Sequence, residues 1–291
     1  MTRKKIACIA IGGNALTSRG ALKGLATGIA LLSRKGQGIV ITHGNGPQVG
    51  ELALVERKSL SVLTAETAAE IGLEIAASLE DAGVSGKKVA VVITRVIADP
   101  SDREFRDPSK PIGRFYSGKE AAGLRRNGRA VRKLLKGYRI VVPSPKPLGV
   151  LELDEINALL SDGYIVIAGG GGGSAVSRRG SHLSYLDAVL DKDLTSSLLA
   201  VQLRADRLVI LTDVDGAYLD FGRESERRIG KVDAAAMERY VREGQFERGS
   251  MLPKVEACLS FVRKRRKSAA IGSLGAAQEV LELRNCTVVT P

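Results

Sequence analysis

The amino-acid sequence predicts an α/β fold: a three-layer sandwich in which helices cover both faces of a mostly parallel central sheet. Short runs rich in isoleucine and valine alternate along the 291 residues with longer segments rich in alanine, leucine and charged residues. Continuous apolar runs of this length are typical of strands that are buried on both faces. Because strands and helices alternate, we expect parallel pairing through right-handed crossovers.

The predicted elements follow one another in a regular order. Strands are predicted at Ile6–Ile11, Gly38–Thr42, Val89–Val96, Arg139–Val142, Tyr164–Ala168, Leu208–Thr212 and Thr287–Thr290. The clearest helices are predicted at Ala21–Lys35, Ala65–Glu80, Leu186–Leu203 and Lys254–Lys267. The segment Asp99–Tyr116 interrupts this order, because three prolines stand among its charged residues, and it indicates a loop or a small subdomain. We therefore expect two lobes, residues 1–162 and 163–291, with a protruding lid subdomain at about 99–137 in the first.

The composition excludes disordered, collagen-like and disulfide-stapled chains, since 44% of the residues are hydrophobic and 26% are charged. Three cysteines lie far apart without a CxxC pair, and two histidines cannot build a three-histidine site, so no metal site formed by side chains is predicted. No apolar run is long enough to span a membrane, and no signal peptide is indicated. We therefore expect a cytoplasmic protein that binds no membrane.

The positive charge raises the alternative of a nucleic-acid-binding protein. The chain has 44 basic and 32 acidic residues, a net charge of +12, and two basic clusters at Arg125–Lys136 and Arg263–Lys267. Aromatic residues make up only 4% of the chain and do not alternate with the basic ones, so platforms for base stacking are not indicated. Solvated helix faces are therefore favoured, and no nucleic-acid partner is expected.

Glycine-rich turns follow three of the predicted strands, at Gly12–Asn14, Gly44–Gly46 and Gly169–Gly173. A single pair of glycines usually marks a tight turn, but the carboxyl ends of parallel strands meet at one edge, where backbone N–H groups can bind an anion such as phosphate. We expect a Cβ at Gly170 to intrude on such a phosphate and to leave the fold largely intact. Neither GxxxxGK[ST] nor a Rossmann GxGxxG is present, and without a GxSxG elbow His43 is predicted to be structural.

Three lysines stand beside turn residues and indicate phosphoryl transfer. Lys110, Lys192 and Lys254 neighbour proline or aspartate, and Lys192 lies between Asp191 and Asp193 in a predicted helix. Such a charged triplet is usually a solvated surface feature. Lysines gathered at a glycine-lined anion site, however, can neutralise the charge on a moving phosphoryl group.

The order of these motifs resembles that of the carbamate kinases within the amino-acid kinase family. The matching segments span nearly the whole chain: IGGNAL at 11–16, THGNGPQVG at 42–50, KPIG at 110–113, VVPSPKP at 141–147, AGGGGG at 168–173, DKDL at 191–194, LTDVDG at 211–216, YLDF at 218–221, GSMLPKVEA at 249–257 and IGSL at 271–274. Many amino-acid kinases carry Lys-x-Gly-Gly on the first strand. Here the lysine position is Ala10, and the carbamate kinases likewise lack this lysine.

The resemblance implies a role for each matching residue. Two glycine turns would line the acceptor pocket through backbone N–H groups: Gly12, Gly13, Asn14, Gly44, Asn45 and Gly46. Four side chains would carry catalysis: Lys110 on the lid, Lys192 between the two substrates, Asp193 orienting the lysines, and Lys254 at the terminal phosphates. The nucleotide would bind to Gly169, Gly170, Gly171, Asp213, Tyr218 and Lys254.

The resemblance also implies the reaction ATP + carbamate ⇌ ADP + carbamoyl phosphate in a homodimer, with Mg²⁺ arriving on ATP. The first lobe would bind the acceptor and form the dimer, and the second would bind the nucleotide. Two alternatives stay open: a related kinase acting on another small carboxylate or phosphate, and a nucleotide-binding regulator without chemistry.

The segment after THGNGPQVG departs from the family. Carbamate kinases usually have a polar, glycine-bearing stretch that ends in Ser-Gln-Gly, whereas this chain reads LTAETAAE at 63–70. Glu66 and Glu70 are four residues apart and share a helix face. Carboxylates beside an anionic acceptor would repel it, but charged residues are rarely buried unpaired. We therefore expect both to face solvent or a basic partner, with carbamate turnover retained and acceptor affinity reduced.

Overall fold

The computed structural model of the chain describes residues 4–12, 19–84, 89–134 and 136–291. In these ranges the strands are β1 (Ile6–Ile11), β2 (Gly38–His43), β3 (Val89–Val91), β4 (Arg95–Ile97), β5 (Lys110–Tyr116), β6 (Val131–Leu134), β7 (Gly137–Val142), β8 (Gly149–Val150), β9 (Ile165–Ile167), β10 (Ser174–Arg179), β11 (His182–Val189), β12 (Arg207–Thr212), β13 (Tyr218–Leu219), β14 (Arg227–Arg228), β15 (Lys231–Asp233), β16 (Ala269–Ser273) and β17 (Thr287–Thr290). The α-helices are α1 (Arg19–Arg34), α2 (Gly46–Val55), α3 (Leu60–Asp81), α4 (Gly118–Arg126), α5 (Leu153–Ser161), α6 (Lys192–Gln202), α7 (Ala234–Arg242), α8 (Met251–Arg265) and α9 (Ala277–Leu281).

The largest sheet has eight strands in the order β15-β17-β16-β12-β1-β2-β9-β3. All neighbouring strands are parallel except β16 and β17, which are antiparallel. The predicted α/β fold with a mostly parallel central sheet is therefore confirmed. Strand β16 lies between β12 and β17, although its alanine-rich sequence was not among the predicted strands.

Successive residues of the central strands pack into two different hydrophobic cores, which gives the three layers. On β1, Ile9 and Ile11 face a core with α1, α3 and α9, whereas Cys8 and Ala10 face a core with α5, α6 and α8. The same alternation runs along β2, β9 and β12. Because every side chain of these inner strands is buried except Ile6 and Arg207 at the strand starts, the strands are almost wholly apolar in sequence, as strands covered on both faces must be.

Besides the central sheet, the described residues form an antiparallel pair of short strands, β13 and β14, and two larger sheets. A four-stranded sheet has the order β11-β10-β4-β8, and a three-stranded antiparallel sheet, the lid sheet, has the order β5-β7-β6. The lid sheet packs on α2 and α3 through a small core in which Val49 and Leu63 meet Ile112 and Ile140. The division into lobes at residue 163 stays a prediction; strand β9, which follows it, lies between β2 and β3.

Three predicted elements differ from the structure. The predicted strand Val89–Val96 is two strands, because the chain leaves the central sheet after Val92 and β4 pairs with β8 and β10 instead. The predicted strand Arg139–Val142 belongs to the lid sheet rather than to the central sheet. The predicted helix Leu186–Leu203 begins only at Lys192, since antiparallel pairing with β10 holds the preceding residues in β11.

The cysteines of the chain are buried free thiols. Burial raises the pKa of Cys8 to about 12 and that of Cys286 to about 11, and it also raises the pKa of Cys258. Among the described helices, none combines the length and apolar character needed to cross a membrane.

Candidate active site

The loops that follow β1, β2, β9 and β12 meet at one edge of the central sheet. The Gly12 N–H donates to the Leu211 carbonyl and the Gly44 N–H donates to the Ile11 carbonyl, both at 2.9 Å. The Ala168 N–H donates to the Ile41 carbonyl at 2.8 Å, so the run of glycines begins at the same edge. The convergence predicted for Gly12, Gly44–Gly46 and Gly169–Gly173 is therefore present. Gly13 and Asn14, which were also predicted to line the acceptor pocket, lie outside the described residues.

The glycine run packs so closely against neighbouring protein atoms that it leaves no room for side chains at Gly170 and Gly171. A Cβ on Gly170 would lie 2.6 Å from Nε2 of His43 and 2.7 Å from the Cβ of Ala68. At Gly171 the backbone has a φ of 63°, and a Cβ would lie 2.2 Å from Nδ2 of Asn45. The expectation that a side chain at position 170 would leave the fold intact is therefore wrong, because its first carbon points into the packed interior.

His43 ends β2 and is a buried structural residue, as predicted. It is 1% exposed, and its Nδ1 lies 3.3 Å from the carbonyl oxygen of Gly44. Burial lowers its pKa to about 4, and the positive charge of Lys192 acts in the same direction. The ring is thus neutral near pH 7 and fills the space behind Gly170.

We expect His43 to make stability depend on pH. Between its ordinary pKa of about 6.5 and its folded value of about 4, the unfolded chain binds a proton that the folded chain does not. Stability should therefore fall as the pH decreases through this window, by roughly 3 kcal/mol at about 1.4 kcal/mol per pKa unit. Denaturant unfolding at pH 7 and pH 4.5 measures the loss. This loss of stability should be smaller in His43→Gln. The matched control is His182→Gln, at an exposed strand position. An equal loss in both variants would contradict the assignment.

Asp193 holds two lysines together at the start of α6. Its Oδ1 lies 2.5 Å from Nζ of Lys192 and its Oδ2 lies 3.0 Å from Nζ of Lys254. Burial raises the pKa of Asp193, but the two ammonium groups outweigh burial and hold it well below its usual range. Burial lowers the pKa of Lys192, which Asp193 only partly offsets, whereas at Lys254 the attraction of Asp193 outweighs burial and raises the pKa.

The third predicted lysine joins this cluster from the lid sheet. Lys110, the first residue of β5, forms an ion pair with Asp191. Asp191 is the N-cap of α6, and its Oδ1 accepts the backbone N–H of Asp193 at 2.9 Å. Asp191 therefore connects the lid to the helix that carries Lys192. No role was predicted for Asp191 from the sequence, although an aspartate directly before a helix is the usual signal of an N-cap.

Three consecutive hydroxyl groups fix the first turn of α6 to three other elements. Thr195 donates to the Gly172 carbonyl at 2.9 Å, and Ser197 donates to the Ala257 carbonyl of α8 at 2.8 Å. Between them, Ser196 lies 2.5 Å from the hydroxyl of Thr42 at the end of β2. Because buried hydroxyls are stable only when they are bonded, these contacts hold Lys192 and Asp193 in one position. Sequence reasoning missed this triplet, which reads as ordinary helix.

The predicted nucleotide residues after β12 lie at the same edge. Asp213 is exposed and accepts a hydrogen bond from Thr212 at 3.0 Å, and its charge helps to raise the pKa of Lys254. Tyr218 is half-buried and donates its hydroxyl to Asp215 at 2.6 Å. Among the described residues no group of three histidine, cysteine or acidic side chains could hold a metal ion.

The segment 63–70, which departs from the family, meets the site through its small polar residues. In α3, the hydroxyl of Thr67 accepts from Nδ2 of Asn45 at 2.8 Å, which fixes the second glycine turn. Glu66 and Glu70 are exposed, and Glu66 pairs with Lys58 at 2.8 Å, so they face solvent and a basic partner as expected. Thr64 Oγ1 is buried without a hydrogen-bond partner, as is Gln48 Oε1 in α2.

Known proteins match the chain along nearly its whole length. The profile of the Amino acid kinase family matches residues 5–273. A carbamate kinase of Thermoplasma acidophilum is 38% identical over 299 residues, covering 97% of this chain and 98% of its own. The solved structures of a carbamate kinase from Giardia lamblia, bound to citric acid and to AMP-PNP, are each 32% identical and cover 100% of this chain and 99% of their own, with TM-scores of 0.89 and 0.85. The chain therefore belongs to the amino acid kinase family, and within that family to the carbamate kinases.

Proposed function

We propose that the chain transfers a phosphoryl group between ATP and carbamate, in the reaction ATP + carbamate ⇌ ADP + carbamoyl phosphate. The observation that carries this proposal is the cluster of Lys110, Lys192 and Lys254, held by two buried aspartates at an edge lined with glycine. Three cations and two anions leave a net positive charge where a phosphoryl group would bind. The kinship with carbamate kinases identifies the acceptor as carbamate.

The geometry suggests how the charges act. A carbamate oxygen attacks the γ-phosphorus of ATP, the bond from that phosphorus to the β,γ-bridging oxygen breaks, and ADP leaves with the electron pair. Lys192 and Lys254 offset the negative charge that spreads over the phosphoryl oxygens, and Lys110 closes from the lid side. Because Asp193 fixes the two ammonium groups before substrate binds, little reorganisation is needed during the transfer.

We propose that the nucleotide binds over the glycine run and the β12 loop. The AMP-PNP complex of the Giardia lamblia enzyme supports a nucleotide in this family member. Since a Cβ at Gly170 points inward, Gly169, Gly170 and Gly171 would meet phosphates with backbone groups only. Asp213 and Tyr218 would face the rest of the nucleotide. Asp213 offers Mg²⁺ an exposed carboxylate, and phosphates and water would supply its other ligands.

We propose that the acceptor binds between the first two glycine turns, near Gly12, Gly13, Asn14, Gly44, Asn45 and Gly46. The unpartnered oxygens of Gln48 and Thr64 support a polar ligand on this side, because buried polar atoms are seldom left without a partner. One hydrogen of the Asn45 amide is donated to Thr67, which fixes the side chain, and Asn45 would meet the acceptor through its backbone N–H.

The larger organisation is also part of the proposal: an acceptor lobe at 1–162 with its lid, a nucleotide lobe at 163–291, and a cytoplasmic homodimer. Edge strand β3 supports dimer formation through the first lobe. Val91 on that strand and Leu73 on the adjoining helix are 36% and 67% exposed, and Ile93 extends the apolar surface. The three free thiols suit a reducing compartment.

A coupled assay of ATP formation from ADP and carbamoyl phosphate tests the proposal. Turnover is expected with these substrates and not with acetyl phosphate or acetylglutamyl phosphate. Turnover only with another acyl phosphate would favour a kinase for a different carboxylate, which the relatives do not favour. Nucleotide binding without turnover of any acyl phosphate would favour a regulator, against which the three positioned lysines argue.

Neutralising both exposed glutamates of α3 is expected to leave the acceptor site unchanged. Glu66→Gln combined with Glu70→Gln should keep the KM for carbamoyl phosphate within about twofold, because both side chains face solvent and surface ion pairs contribute little. Steady-state kinetics of the double variant measures it. A large decrease in KM would place the carboxylates beside the acceptor.

A further inference from the structure

Two glycines from different elements touch where the lid sheet meets α2. Gly50 lies in α2, and Gly113 lies in β5, three residues after Lys110. A Cβ on Gly50 would lie 2.0 Å from the nitrogen and 2.2 Å from the Cα of Gly113. The obstacle is backbone, which cannot rotate away as a side chain can. Any other residue at position 50 must therefore push β5 away from α2, by more than about 1 Å to reach ordinary van der Waals contact.

The backbone of Gly113 has an unusual conformation at this contact. Its φ is 68°, a left-handed conformation that side chains disfavour, and the pairing of β5 with β7 is irregular between Ile112 and Tyr116. Nη2 of Arg139 on β7 donates to the Gly113 carbonyl at 2.6 Å. The strand is thus bent at this glycine, and the bend is held from the lid side.

The contact lies between the two parts that the reaction must bring together. From Gly113 back to Lys110 the strand is regular, with Ile112 opposite Ile140 and Lys110 opposite Val142, so a shift at Gly113 moves Lys110. On the other side, α2 begins at Gly46, the last residue of the second glycine turn. We propose that the contact between Gly50 and Gly113 sets how closely the lid approaches and thereby positions Lys110 over the site. The proposal rests on the proposed function, and it makes both glycines positioning residues.

The first test is Gly50→Ala. We expect kcat for ATP formation to fall by about tenfold to a hundredfold, because a displacement of about 1 Å in a positioned group can have that effect, while the KM for ADP stays unchanged. The matched control is Gly24→Ala in α1, where a Cβ meets nothing within 4 Å. The control should keep wild-type kinetics. Wild-type kcat in Gly50→Ala would overturn the proposal.

A double variant shows whether Gly50 acts through Lys110. If it does, Gly50→Ala combined with Lys110→Ala should be no slower than Lys110→Ala alone. Losses that multiply would overturn the proposal, and so would wild-type turnover in Lys110→Ala.

An inactive wild type would instead contradict the proposed function. Hydrogen exchange then still tests the contact: amides of β5 should exchange at least about fivefold faster in Gly50→Ala than in Gly24→Ala, and equal rates would overturn it.

Position 113 provides a second route in case Gly50→Ala fails to fold. A Cβ on Gly113 meets its nearest atom at 3.5 Å, so only the left-handed backbone is disturbed. Asparagine tolerates that conformation better than alanine does. We expect Gly113→Ala to lower kcat with unchanged KM for ADP and Gly113→Asn to recover most of it. Equal kcat in the two variants would overturn the proposal.

Discussion

Replacing Lys192 or Lys254 with alanine is expected to lower turnover by on the order of a hundredfold or more. Each ammonium group is fixed by Asp193 before substrate binds, and the loss of one preorganised electrostatic donor has effects of this size. Each replacement also leaves a buried carboxylate with one partner fewer, so thermal unfolding should be recorded beside the kinetics. Lys264→Ala, an exposed lysine on the same helix as Lys254, is the matched control. Wild-type turnover in both variants would contradict the proposed role.

Replacing Gly170 with valine is expected to destabilise the fold rather than to weaken nucleotide binding alone. The first carbon of any side chain there meets the His43 ring at 2.6 Å and Ala68 at 2.7 Å, and overpacking of this kind costs about 1–3 kcal/mol or more. Denaturant unfolding should show the loss. Gly230→Val is the matched control, because a Cβ there has open space around it. A variant with wild-type stability but weakened ATP binding would show that the carbon points at the ligand.

The strand–helix alternation predicted the central sheet well because its inner strands are buried on both faces. Prediction was wrong where pairing, not local sequence, decides the structure. Residues 186–189 have helical character in isolation, yet β10 holds them in a strand. The alanine-rich strand β16 has little strand propensity of its own and forms between β12 and β17.

The candidate site was predictable in its residue types and less so in its contacts. Glycine turns and lysines at the ends of strands are visible in the sequence, and the structure brings them to one edge. The pairing of Lys110 with Asp191 joins residues 81 positions apart and depends on how the lid sheet docks. The close packing at Gly170 likewise depends on α3. A glycine required for ligand binding therefore cannot be distinguished, from the sequence, from a glycine required for packing against a helix.

The burial of all three cysteines has a practical consequence for studying the lid. A thiol reacts through its thiolate, and with pKa values of about 11 and 12 at Cys286 and Cys8, and a raised pKa at Cys258 as well, almost none is present at neutral pH. The three native cysteines should therefore react very little with maleimide reagents. A single cysteine placed at an exposed lid position such as Lys119 should take up a fluorophore or spin label selectively. Any movement of the lid sheet can then be followed directly by spectroscopy, without first removing a native cysteine.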